Sequence, residues 1–96
     1  MPASPRQPSA LETFVADAQH CAALFRLGRD VEASLVMIEL VGEVHPAFDS
    51  TPQASKQQWA FLLSKMFACQ EAQNWLALAD YLEYELVELL TESLSV

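Results

Sequence analysis

Two glycines in 96 residues leave nothing from which to build a glycine-rich phosphate loop. The two cysteines, Cys21 and Cys69, lie far apart in helical, alanine-bearing contexts, which favours core thiols over a disulfide framework. With only His20 and His45 to join them, and no CxxC or HxxxH spacing, no metal site is expected and no cofactor is implied. Basic residues are equally scarce: 5 Lys and Arg against 13 Asp and Glu give a formal charge of −8. That balance disfavours an electrostatic grip on nucleic acid or on an anionic membrane. No apolar run approaches the ~18 residues needed for a membrane span. The opening Met1-Pro2-Ala3-Ser4-Pro5-Arg6-Gln7-Pro8 lacks the apolar core of a signal peptide, so a cytoplasmic location is expected.

What is present is apolar and helical. Hydrophobic residues make up 52% and charged residues 19%, a composition that forms a packed core, and the length suits one domain. Residues 1–8 read as a flexible tail and residues 9–96 as a single helical domain. Ser9-Ala10-Leu11-Glu12 matches the capping box that opens a helix. Leu11, Phe14, Val15, Ala18, Ala22 and Phe25 then recur along one face, and Gly28 supplies a left-handed stop. This predicts a first helix over 10–27.

Asp30 is the expected cap of a second helix over 31–45, with Val31, Leu35, Ile38, Val41 and Val44 as its core stripe, widened by Val36, Met37 and Leu40. It is apolar nearly all round, and His45-Pro46 marks its end. Ser50 or Thr51 should cap a third helix over 52–72, striped by Trp59, Leu62, Leu63, Met66 and Gln70. Asn74 caps a fourth over 75–93, striped by Trp75, Leu78, Ala79, Leu82, Leu86, Leu89 and Leu90. A turn at Gln73-Asn74 is favoured, because a continuous rod of ~38 residues would be ~57 Å long. The fold class is therefore all-α: an antiparallel four-helix bundle or two stacked helical hairpins. Residues 9–45 and 52–93 share no repeat signature.

Function is sought on the fourth helix. From Glu71 onward the chain carries Glu71, Asp80, Glu83, Glu85, Glu88 and Glu92 and no Lys or Arg. At 100° per residue, Asp80, Tyr81, Tyr84, Glu85, Glu88 and Glu92 fall within about 140°, opposite the leucine stripe. Such a face is either simply solvated or a protein-binding face, with tyrosine anchors and an acidic surround that steers a basic or amphipathic segment. Glu83, at about 300°, lies at the edge of the apolar stripe and needs a partner, for which Arg26, Arg29, Lys56 and Lys65 are the candidates. The expected partner-binding residues are Asp80, Tyr81, Glu83, Tyr84, Glu85 and Glu88.

Catalysis lacks its parts, since neither histidine has a nucleophile and orienting group in view, so no enzyme is expected. His20 projects off its stripe, and His45 is best explained as an imidazolium at a helix C-terminus. The apolar surplus of helix 2, and Phe61 pointing away from the helix 3 stripe, leave two readings open: a homodimer, or a groove for a partner helix.

The stretch Gln70-Glu71-Ala72-Gln73-Asn74-Trp75-Leu76-Ala77-Leu78-Ala79-Asp80-Tyr81-Leu82-Glu83-Tyr84-Glu85-Leu86 resembles a pattern of small all-helical bacterial proteins, Q-x-x-x-[DN]-[WY]-x-x-L-A-D-x-L-E-Y-E-L. These are similar to flagellar-export or secretion chaperones of the helical-bundle kind. The resemblance implies a cytoplasmic chaperone or adaptor that sequesters an amphipathic segment of another protein, and it carries over no contact residue. An immunity or antitoxin protein neutralising a basic partner, and a self-assembling structural dimer, are the alternatives the same composition allows.

Overall fold

Capping chemistry sets where the first helix begins. In the computed structural model, which describes residues 9–95, the Glu12 backbone N–H donates to Ser9 Oγ at 3.1 Å, and α1 runs Ala10–Arg26. It is followed by α2 (Asp30–Ala47), a 3-10 turn (Phe48–Ser50), α3 (Gln53–Glu71) and α4, residues 75–94. Within α4 the segments Trp75–Asp80 and Val87–Leu94 are α-helical, and Tyr81–Leu86 between them is wound as a π-helix. The expected tail, 1–8, lies outside the described residues. Among those described, there is no strand, and no helix is long and apolar enough to cross a membrane.

α1 and α2 form one helical hairpin, α3 and α4 a second. Both turn on the same hydrogen bonds. At the first, Gly28 N–H donates to Phe25 O and Arg29 N–H to Leu24 O, at 3.1 and 3.0 Å. At the second, Gln73 N–H donates to Gln70 O and Asn74 N–H to Cys69 O, at 3.1 and 2.8 Å. This is the Schellman closure, which needs a left-handed residue: Gly28 has φ +77° and Gln73 φ +56°. The sequence hides this likeness because the two turns use different residues. Glycine adopts that conformation without penalty, whereas a residue with a Cβ is strained by roughly 1–2 kcal/mol. Gln73→Gly is therefore expected to raise stability by about 0.5–1 kcal/mol, after the greater freedom of glycine in the unfolded chain is offset. Chemical denaturation should move to a higher midpoint at unchanged slope, and a lower midpoint would count against the strain.

The hairpins stack through α1 and α4. α2 packs along α1, α1 along α4 and α4 along α3, giving a flat molecule of 52 × 33 × 19 Å. The core between them holds Phe14, Ala18, Cys21, Ala22 and Phe25 of α1, Trp59, Leu62 and Met66 of α3, and Leu78, Leu82, Leu86 and Leu90 of α4. Phe25 stacks on Trp75 with ring centroids 5.4 Å apart. The stripes expected on α1, α3 and α4 face this core, although Leu11, Val15, Leu63, Gln70 and Trp75 are only half-buried.

The expected stripe of α2 needs correction. Ala33, Met37, Leu40 and Val44 are the buried residues, while Val31, Leu35 and Ile38 are 78%, 61% and 61% exposed. A helix that is apolar all round has no periodicity to select its inner face. Selection comes from packing: small Ala33 and slim Met37 let α2 lie close to α1, near enough for Cys21 Sγ to donate to Ala33 O at 3.3 Å. Burial pushes the Cys21 thiol up to about 12, whereas Cys69 is partly buried and packs against the core from its edge.

Three helix-end expectations also change. Asp30 does not cap α2: it occupies the first helical position, with one carboxylate oxygen shut away from solvent and without a hydrogen-bond partner. The helix runs through Pro46 to Ala47, because the carbonyl deprived of a donor belongs to exposed Gly42, where water is available. Pro52, not Ser50 or Thr51, occupies the cap position of α3, and Thr51 Oγ1 instead donates to Phe48 O at 2.6 Å. Asn74 does cap α4, its Oδ1 accepting from Ala77 N–H at 3.3 Å.

Candidate protein-binding face

Two groups of side chains make up the outer face of α4. The first is organised by Arg26, the last residue of α1, which reaches across to the neighbouring helix. Its Nη2 meets Asp80 Oδ1 at 2.7 Å and its Nη1 meets Glu83 Oε2 at 2.5 Å. Of the four cations considered for Glu83, the stacking of α1 on α4 selects Arg26. The guanidinium also lies 6.0 Å from the centre of the Tyr84 ring. Hydrogen bonding with Glu83, and then that carboxylate's charge, push the exposed Tyr84 phenol above its ordinary value. Asp80 and Glu83 are thus engaged within the molecule, and Tyr81 is half-buried against the core, so of the two tyrosines only Tyr84 stands fully on the surface. Asp80, Tyr81, Tyr84, Glu85 and Ala77 line a shallow cleft of about 340 Å³.

The second group lies on the other side of Glu85, where α3 meets α4. Glu85, Glu88 and Glu92 line an open cleft of about 300 Å³, together with Gln58, Phe61, Leu62 and Leu89. Its walls carry three carboxylates and no cation, and Phe61, 65% exposed, supplies an aromatic edge. Lys65 stands over the Phe61 ring at 4.7 Å. The six residues expected from the sequence therefore divide: Asp80, Glu83 and Tyr84 gather at Arg26, Tyr81 is half-buried against the core, and Glu85 and Glu88 belong to the cleft. Sequence reasoning missed the contribution of α3. The available signal was Phe61, a large aromatic residue off its helix's stripe.

The π-helical turn carries four of the six, Tyr81, Glu83, Tyr84 and Glu85. Such turns are rare and recur at functional sites. Here a packing cause is visible. Leu78, Leu82, Leu86 and Leu90 are spaced four apart and all fully buried. In a regular α-helix, twelve residues at 100° each would swing such a row ~120° off one face. The π-turn, with more residues per turn, offsets part of that drift and so helps keep the row inward.

Neither histidine lines the two clefts of this face. His20 is exposed. His45, at the end of α2, is held by α3: Trp59 Nε1–H donates to its Nδ1 at 3.0 Å. Among the described residues no three His, Cys, Asp or Glu side chains are grouped as metal ligands. Compared with known protein families, curated proteins and solved structures, the chain matches none.

Proposed function

We propose that this chain is a protein-binding module that captures a basic segment of another protein at the α3–α4 cleft. The observation that carries the reading is the cleft's chemistry: three carboxylates, Glu85, Glu88 and Glu92, around the apolar surfaces of Phe61, Leu62 and Leu89. An arginine or lysine side chain fits both halves of that surface. Its methylenes lie on Phe61 and Leu89, and its charged head meets the glutamates. The surrounding negative field steers such a segment inward, and Tyr84 and the Arg26 clamp border the approach. Sequestration by a chaperone or adaptor is the role most in keeping with this chemistry and with the resemblance of residues 70–86; an antitoxin would use the same cleft against a basic toxin.

The test is a titration with a labelled arginine-rich dodecapeptide that contains no leucine, followed by fluorescence anisotropy. Glu85→Gln/Glu88→Gln/Glu92→Gln is expected to weaken binding at least about tenfold, while Asp17→Asn/Asp49→Asn/Glu71→Gln, an equal change in charge elsewhere, stays within about twofold. Equal losses in the two variants would reduce the effect to net charge and sink the reading.

A further inference from the structure

α2 presents a second surface, independent of the α4 cleft. Leu27, Val31, Leu35 and Ile38 are 72%, 78%, 61% and 61% exposed, and they continue into Gly42, beside which nothing lies within 4 Å of an added Cβ. Leu27 precedes the helix; the other four fall within about 60° of one another on it, a charge-free strip ~16 Å long between Val31 and Gly42. α2 packs on α1 through its opposite side, so no part of the strip serves the chain's own core. Contiguous apolar surface of this kind on a small protein marks a contact with something else.

The charges beside the strip specify what. Glu39, Glu32 and Glu43 project at about 100°, 120° and 140° from Ile38, so all three carboxylates border one edge. Arg29 Nε pairs with Glu32 at 2.9 Å, and among the described residues Glu39 and Glu43 have no ion-pair partner. The other edge carries Ser34 and Val41, with Asp30 and His45 at its two ends, and no Lys or Arg. A second copy of this chain supplies these carboxylates with no cation: with α2 antiparallel, glutamate edge meets glutamate edge, and with α2 parallel it meets the edge of Ser34, Val41 and Asp30. We infer that the exposed face of α2 docks an amphipathic helix of another protein, whose apolar stripe covers Val31, Leu35 and Ile38 and whose Lys or Arg residues run along the edge facing Glu32, Glu39 and Glu43. The seven- and four-residue steps between the glutamates set the spacing of those cations, and Gly42 lets the partner backbone come close at that end of the strip.

The probe is a designed, labelled helical peptide of about 18 residues with a leucine stripe and lysines along one edge. It is expected to bind the full chain, and Leu35→Glu/Ile38→Glu to weaken it at least about tenfold with the thermal midpoint within a few degrees, since both positions are exposed. Glu32→Gln/Glu39→Gln/Glu43→Gln should weaken binding and flatten its salt dependence, and the same peptide with glutamate for lysine should not bind. Asp17→Asn/Asp49→Asn/Glu71→Gln, an equal change in charge away from this surface and from the cleft, should change the affinity less than about twofold, which separates contact with this edge from net charge. Absence of binding, or binding indifferent to Leu35→Glu/Ile38→Glu, overturns the inference. So does sedimentation of the unliganded chain as a dimer that those substitutions make monomeric, because the occupant is then a second copy.

Discussion

Phe48→Ala is expected to cost about 3–5 kcal/mol, the range for deleting a buried phenylalanine side chain. Phe48 is 1% exposed and belongs to the short link between α2 and α3. Its ring lies parallel to that of Trp59, with centroids 5.3 Å apart and planes 3° from each other. Trp59 in turn donates to His45 at the end of α2. One side chain thus joins the link to both helices it connects, and the close stacking leaves the cavity no simple way to collapse. At roughly 4–8 °C per kcal/mol for a domain of this size, the thermal midpoint should fall by at least about 12 °C. The near-ultraviolet signal of Trp59 should weaken as its stacking partner is lost. Phe61→Ala, at an exposed position, is the matched control and should stay within about 0.5 kcal/mol. Similar midpoints for the two variants would show that the link is not part of the core.

Leu82→Ala should cost about 2–5 kcal/mol, and its effect should be local as well as global. Leu82 is fully buried and sits inside the π-helical turn, in the row formed with Leu78, Leu86 and Leu90. Since burial of that row holds the helix underwound, removing one member weakens the reason for the unusual winding where it is strongest. Amide hydrogen exchange should therefore accelerate over residues 81–86 more than in α1, beyond the uniform change that lower global stability produces. A uniform change would mean that something other than the leucine row maintains the turn.

Much of this architecture is legible in the residues, and the failures have identifiable causes. α1 and α4 bury the leucine, phenylalanine and alanine positions that their periodicity picks out, because each has a polar face to contrast with an apolar one. α2 lacks that contrast, so Val31 and Leu35 look as suited to a core as Met37 and Leu40 do. Only the shape of α1 distinguishes them. The Schellman turn at Gly28 is announced by its glycine, whereas the same geometry at Gln73 carries no such mark beyond the following Asn74. The acidic face of α4 is plain from composition, yet its division into an Arg26-bound group and a cleft depends on neighbours distant in sequence. Phe61 enters the cleft for the same reason: periodicity says which residues leave a helix's own stripe, not what they meet across the gap.

The place of α4 also has a consequence for biosynthesis. It is the last of the four helices to leave the ribosome, yet it is the one that α1 and α3 both pack against. Until it emerges, the apolar faces of the first hairpin have only each other, and Leu62 and Met66 on α3 lack the helix they pack against. At about 5–20 residues per second its twenty residues take roughly 1–4 s to be made. For that interval the nascent chain exposes the surfaces that its fourth helix will cover, and a segment able to bind them would compete with docking of that helix.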